Sequence, residues 1–180
     1  MKKILIVLAV CLLFTGCTIN RKTINRNINN NVTVSSEITT GYGSFKIPDT
    51  WIKRDDHSTA SKYFFANKND KNDPPNNISV ECLPNSYAAE QHIEFRTAIQ
   101  YQLMEQASAY GYTLTSSGST SNTGNIVYTF NLEGDGQKIV QHYIVGERKY
   151  VLVHETIWDG KPEDTEEAGR LIVNTFKWKK

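Results

Sequence analysis

Two histidines on neighbouring predicted strands are the residues whose types and spacing come closest to a chemical site. His142 lies in the run 137–145 and His154 in the run 149–158, and both runs are rich in β-branched and aromatic residues. Two imidazoles on adjacent strands are a conceivable start of a zinc site. The nearest third ligand is Glu155, which points to the face opposite His154 because side chains alternate along a strand.

The turn between the two runs determines which residues face each other. We predict that Gly146 and Glu147 form a two-residue loop, because glycine accepts the positive φ at the first position of a type II′ turn. This register places Val151 opposite His142 and leaves the two histidines out of direct alignment. We therefore predict no metal ligands and keep a His142–His154 site as the alternative.

Other patterns that would indicate catalysis or cofactor binding are missing from the sequence. No Gly-x-Ser-x-Gly elbow is present, and Gly134-x-Gly136 is not followed by the lysine of a phosphate loop. Asp70 and Asp73 lie in a polar loop without the spacing, glycine or glutamate of an EF-hand. We predict a protein that is not an enzyme, with no catalytic residue and no cofactor.

The N-terminal residues are typical of a cleaved, lipid-modified leader. Met1, Lys2 and Lys3 precede an apolar run at 4–15. As a helix this run covers roughly 18 Å, too short for a bilayer core of about 30 Å. The sequence that follows, 13–17, resembles a bacterial lipobox ending in Cys17, with phenylalanine at position 14 in place of the usual aliphatic residue. It predicts a signal peptide at 1–16 and lipidation of Cys17; a secretory signal cut elsewhere is the alternative.

Cysteine usage agrees with export. Cys11 would leave with the leader and Cys17 would carry lipid, so that Cys82 alone remains as a free thiol. Its strand-like surroundings favour a small buried apolar side chain, with a reactive thiol as the less favoured interpretation. A diacylglycerol with an added acyl chain would anchor the protein stably to the membrane surface.

The charge balance is not that of a nucleic-acid-binding protein. The chain has 20 basic and 19 acidic residues, and the leader would remove two lysines. A nearly neutral protein of this kind has no long-range field that attracts nucleic acid. We therefore predict that it has no nucleic-acid partner.

The rest of the chain is expected to form a polar linker and one domain. Residues 17–40 are rich in Asn, Thr and Ser, which predicts a flexible tether after Cys17, and Val32–Val34 forming an edge strand is the alternative. Residues 41–180 are the predicted globular domain. It is expected to contain strands near 45–47, 62–66, 77–83, 113–121, 126–132, 137–145 and 149–158.

Two helices are expected to cover this sheet. The first is predicted at 86–110, capped by Asn85 or Ser86 and ended by Gly111. Its apolar positions recur at helical spacing, and they are Phe95, Ile99, Leu103, Ala107 and Tyr110. The second is predicted at 162–178, with Pro162 at its first position and a stripe formed by Ala168, Leu171, Ile172 and Phe176.

With these elements placed, the chain resembles the PsbP/Mog-type family. The resemblance rests on residues 45–51, with their proline and tryptophan, on 150–153, and on Ala168 to Phe176. It implies an α+β fold in a single domain, with a central antiparallel sheet and helices packed on both faces. It carries over no active site.

Together these observations predict a lipoprotein on the extracytoplasmic face of the cell membrane. It would be held by the lipid on Cys17 and would act by binding a protein or small-ligand partner, or as an accessory to assembly. An inhibitor or immunity-type module against an envelope-acting protein is the first alternative. A His-dependent metal-binding or hydrolytic protein is the second.

Overall fold

The computed structural model describes residues 35–71, 73–158 and 163–180. Ten strands and two helices follow one another along these ranges: β1 (Ser35–Thr39), β2 (Gly43–Pro48), β3 (Trp51–Lys53), β4 (Lys62–Asn67), β5 (Asn77–Pro84), α1 (His92–Tyr110), β6 (Thr113–Thr120), β7 (Ile126–Gly134), β8 (Gln137–Gly146), β9 (Lys149–Ile157), α2 (Glu163–Thr175) and β10 (Lys177–Trp178).

Seven of the strands form the central antiparallel sheet, in the order β3-β4-β5-β9-β8-β7-β6. The remaining three form a small sheet in the order β1-β2-β10. Helix α1 lies on one face of the large sheet, and α2 lies on the other with the small sheet beside it. The predicted α+β fold, with one antiparallel sheet covered on both faces, is confirmed.

Two apolar clusters fill the space on either side of the sheet. The α1 side is aromatic: Phe95 of the helix packs against Tyr143 and Tyr150, and Phe130 packs edge-on against Tyr143. The α2 side is mostly aliphatic, with Ile172 and Phe176 buried against the sheet. Strands covered on both faces bury side chains at successive positions, which explains why β8 is buried without a break from Val140 to Gly146.

Helix α1 begins later than predicted. The side chain of Asn85 accepts a hydrogen bond from the Tyr87 amide, so it caps a turn and not the helix. A short 3-10 turn at Ala89–Gln91 follows, and α1 starts at His92. Its four predicted positions from Phe95 to Ala107 are buried, but Tyr110 is exposed. The predicted end is confirmed: Gly111 has a φ of 69° and its amide bonds to the Ala107 carbonyl.

The second helix ends earlier than predicted. It ends at Thr175, and Trp178 lies in strand β10 against β2. Trp178 packs edge-on against Phe176. Ala168, Ile172 and Phe176 are buried as expected. Pro162 lies outside the described residues.

Ordered structure also extends into the segment predicted as a tether. Strand β1 pairs with β2 from Ser35 to Thr39, within the predicted linker 17–40. Ile38 packs on the aliphatic core, and the Ser36 hydroxyl donates to Asp49 at 2.6 Å. An apolar contact and a polar anchor thus hold a stretch whose polar composition indicated a linker. The alternative strand at Val32–Val34 lies outside the described residues.

The predicted turn between β8 and β9 is wrong by one position. Gly146 pairs with Lys149, so the turn consists of Glu147 and Arg148, and Arg148 has a φ of 50°. Two backbone hydrogen bonds, one each with Asn85 and Tyr87, hold Arg148 there.

Gly146 is a strand residue because Trp178 covers it. A Cβ at this position would lie 2.6 Å from Cζ2 of the tryptophan. The corrected register places Val153, and not Val151, opposite His142.

Candidate functional site

Three polar side chains on adjacent strands form a hydrogen-bonded chain on the α2 face of the sheet. Thr129 on β7 lies opposite His142 on β8, and Glu155 on β9 lies one diagonal step away on the same face. The Thr129 hydroxyl is 2.8 Å from His142 Nδ1. On the other side of the ring, Nε2 is 2.8 Å from Glu155 Oε1. The imidazole thus links a hydroxyl to a carboxyl group.

The carboxyl group of Glu155 is completely buried. Its exposed fraction is 0%, and Oε2 has no hydrogen-bond partner among the described residues. A buried polar atom left unpaired costs about 1–3 kcal/mol, and more when the group is charged. His142 is the basic residue within salt-bridge distance of Glu155 in the described part of the chain.

Helix α2 has a glycine where it crosses this carboxyl group. A Cβ on Gly169 would lie 2.5 Å from Glu155 Cδ and would overlap Oε1. Gly169 therefore leaves the space that the carboxyl group occupies between the helix and the sheet. Because glycine inside a helix costs roughly 1 kcal/mol relative to alanine, this position gives up helix stability in favour of the site.

Burial changes the pKa of the Glu155 carboxyl group. Loss of solvation raises the pKa of Glu155, and the hydrogen bond and charge of His142 oppose the rise without cancelling it. The neighbouring Glu166 adds to the rise in pKa. Desolvation disfavours the charged form, so this glutamate holds its proton at a higher pH than one in water.

A small pocket opens beside the chain, with a volume of about 170 Å³. Glu166 and Arg170 of α2 form its rim, together with Asn131 of β7. Glu166 receives Lys138 Nζ at 2.7 Å and lies 3.7 Å from the Arg170 guanidinium. The Asn131 amide nitrogen donates to Thr115 at 3.3 Å, which leaves its oxygen as an acceptor. The lining is polar, with Val140 as its apolar member.

His154 lies on the other face of the sheet, in a separate hydrogen-bonded chain. It pairs with Gln141, which belongs to the α1 side. The Tyr143 hydroxyl donates to Gln141 Oε1 at 2.6 Å, so the amide nitrogen faces His154 Nδ1 at 3.2 Å. That nitrogen donates, which requires a neutral ring. Burial, with the charge of Lys62 as a smaller cause, lowers the pKa of His154 to about 4.

The two histidines of the metal alternative therefore do not meet. His142 faces α2 and His154 faces α1, so one ion cannot contact both side chains. Among residues 35–71, 73–158 and 163–180, no three His, Cys, Asp or Glu side chains come together as metal ligands.

A larger groove lies between α1 and the edge strand β6, with a volume of about 470 Å³. Its lining residues carry no formal charge at neutral pH and include Gln100, Met104, Tyr112 and Leu114. It contains no buried unpaired acid or base. The smaller pocket is therefore the better candidate for specific polar recognition.

The two cysteines and the helices bear on the predictions for a reactive thiol and a membrane anchor. Cys82 is a half-buried free thiol on β5, against the aliphatic core, and burial raises its pKa. A raised pKa makes a thiolate scarce, which favours the packing interpretation. Cys17 lies outside the described residues. Neither α1 nor α2, the two helices that the structure describes, is long and apolar enough to cross a bilayer.

Sequence reasoning missed the pairing of His142 with Glu155. The signal was present: Glu155 interrupts an alternation of buried positions formed by Val151, Val153 and Ile157. A carboxyl group in such a row needs a buried partner. The wrong turn register hid that partner, because it paired His142 with Val151, two residues before its true partner Val153 and further from Glu155.

No protein-family model matches the chain, and no curated protein is similar in sequence. Solved structures do match. Cyanobacterial PsbP (CyanoP) from Synechocystis sp. PCC 6803 aligns over 87% of this chain and 99% of its own, with a TM-score of 0.54 and 13% identity. LpqN of Mycobacterium tuberculosis, a protein involved in cell envelope biogenesis, aligns over 84% of this chain and 94% of its own, with a TM-score of 0.52 and 10% identity. The described domain has a PsbP-like α+β fold.

Proposed function

We propose that this chain is a lipid-anchored accessory protein of the bacterial cell envelope, which acts by binding and catalyses no reaction. The observation that carries the proposal is the PsbP-like fold, found over nearly the whole length of an envelope-biogenesis protein. The lipobox-like residues that end in Cys17 support an extracytoplasmic place for the domain. Lipid on Cys17 would hold the domain at the membrane surface.

Cell fractionation of the full chain and of Cys17→Ser tests this proposal. The unchanged protein should sediment with membranes and be digested by protease added to cells without an outer barrier. Cys17→Ser should be absent from membranes. Cys82→Ser is the matched control and should fractionate like the unchanged protein. A cytosolic, protease-protected wild-type protein that retains its leader would contradict the proposal.

Hydrolysis is a second candidate because one observation favours it. Thr129, His142 and Glu155 are joined in the order nucleophile, base and orienting acid, each at 2.8 Å. One observation argues against hydrolysis. Strand β7 is hydrogen-bonded to a neighbouring strand on each side, so its backbone amides donate to those strands and do not form an oxyanion hole beside Thr129. We expect no turnover of activated esters or amides. Turnover that disappears in Thr129→Val would establish this candidate in place of the first.

A further inference from the structure

The pocket beside Glu155 is lined by several acceptors and by one strong cationic donor, the Arg170 guanidinium. Glu155 Oε2 is buried and unpaired among the described residues, and the Asn131 amide oxygen is left as an acceptor. Thr129, whose hydroxyl contacts His142, also lines the pocket. A ligand that satisfies these atoms must bring several N–H or O–H groups.

The charges around the pocket favour a cationic donor. Two carboxyl groups and the Arg170 guanidinium line it, and Glu166 already has two cationic neighbours, Lys138 at 2.7 Å and Arg170 at 3.7 Å. Glu155 lacks an equivalent Lys or Arg partner within salt-bridge distance in the described chain. An anion in the pocket would lie close to this unpaired carboxyl group, which costs free energy.

A primary ammonium group fits these demands better than a metal ion. It carries three donors on one compact charge, whereas a hard cation needs six or more oxygen ligands. Glu155 has one unpaired oxygen, because the other holds His142; this oxygen is buried behind the pocket lining, so a ligand reaches it only when a neighbouring side chain moves aside. Lys138 already places an ammonium group between Glu133 and Glu166 next to the pocket.

The volume limits the ligand to a small molecule. About 170 Å³ is roughly ten times what a single water requires in the same measure. The Arg170 guanidinium at the rim is exposed and only 3.7 Å from Glu166, so it is able to turn toward a ligand carboxylate. We propose that this pocket binds a small molecule through its primary ammonium group, placed against Glu155; the inference rests on the binding function proposed above and names its ligand class.

Titration of the full chain in detergent, followed by the NMR signals of the His142 ring, tests the inference. Ethylamine and glycine supply the ammonium group without and with a carboxylate. Tetramethylammonium has the charge but no N–H donor, and acetate has the opposite charge. We expect saturable shifts of the His142 signals with ethylamine or glycine at millimolar concentrations, and none with the other two probes. No saturation by either amine, or equal binding of tetramethylammonium, overturns the inference.

Two variants locate the binding at this pocket. Glu155→Gln should weaken amine binding at least tenfold, and so should Asn131→Leu, which fills the pocket entrance and leaves the His142–Glu155 hydrogen bond in place. The second variant decides the matter if the first does not fold. Gln100→Ala, in the larger groove, is the control and should bind as the unchanged protein does. Unchanged affinity in folded Asn131→Leu overturns the inference.

Further titrations identify the class of amine that binds, and they also separate this inference from the proposed envelope function. Tighter binding of glycine than of ethylamine, with the difference lost in Arg170→Gln, assigns an amino-acid-like zwitterion; equal binding assigns a simple amine. Calcium or magnesium that displaces both amines overturns the ammonium assignment. These measurements need neither lipid nor cells, so their failure leaves the Cys17 fractionation result standing, and the reverse also holds.

Discussion

Substitution of Gly169 by alanine tests the packing of α2 on the buried carboxyl group. A methyl group at this position would occupy the space of Glu155 Oε1 and lie 2.5 Å from Cδ. Either the glutamate side chain gives up its 2.8 Å contact with His142, or the helix moves away from the sheet. Both responses disturb the site while the fold is retained.

The net effect should be destabilising although alanine is the better helix former. Helix propensity favours the variant by about 1 kcal/mol. Overpacking a buried site costs about 1–3 kcal/mol, and separating a buried hydrogen-bonded pair about 3–5 kcal/mol. Since the structure relaxes along the less costly route, the expected net loss is the overpacking cost less the helix gain, up to about 2 kcal/mol, which lowers Tm by up to roughly 6 °C for a domain of this size.

Chemical denaturation measures this loss, and two further variants isolate its cause. Gly169→Ala in a Glu155→Ala background should be neutral or stabilising by up to about 1 kcal/mol, because the overlapping group is gone. Glu167→Ala, at an exposed position of the same helix, should change stability by less than about 0.5 kcal/mol. A single variant Gly169→Ala that is as stable as the unchanged protein, with unaltered His142 ring signals, would refute the reasoning.

Two further predictions concern other parts of the sheet. Because the folded-state pKa of His154 is about 4, against an ordinary value near 6.5, its contribution to stability is complete above about pH 6.5 and is lost as the pH falls toward 4. Unfolding free energies at a series of pH values should show a difference between the unchanged protein and His154→Asn that shrinks by up to about 3 kcal/mol over this range; a constant difference would be inconsistent with a partly buried, neutral ring. Gly146→Ala should lower the unfolding free energy by about 1–3 kcal/mol through overlap with Trp178, and that loss should be absent in a Trp178→Ala background.

Those parts of the fold that follow from local pattern were accessible from the sequence. The four-residue spacing from Phe95 to Ala107 shows which face of α1 is buried, and Gly111 marks its end. The buried face and the C-terminal end of the helix both follow from relations between residues about one helical turn apart. The start of α1 was not accessible in this way, because Asn85 bonds to a neighbouring turn whose geometry is determined by contact with Arg148 on another hairpin.

Features that depend on distant contacts were placed wrongly. Gly146 has the residue type of a turn, but it is a strand residue because Trp178, far along the chain, packs on it. A shift of one position in that turn changed every cross-strand pair between β8 and β9. The contact between His142 and Glu155 was lost with it, although the buried acid alone was a usable signal.

The mass of the mature protein isolated from membranes tests the central claim most directly. An envelope lipoprotein should begin at Cys17 and carry a diacylglyceryl group, with or without a further acyl chain, on a chain that ends at Lys180. Cys17→Ser should yield no lipid-bearing species. A membrane-derived chain that still begins at Met1, or one with an unmodified Cys17, would contradict the account.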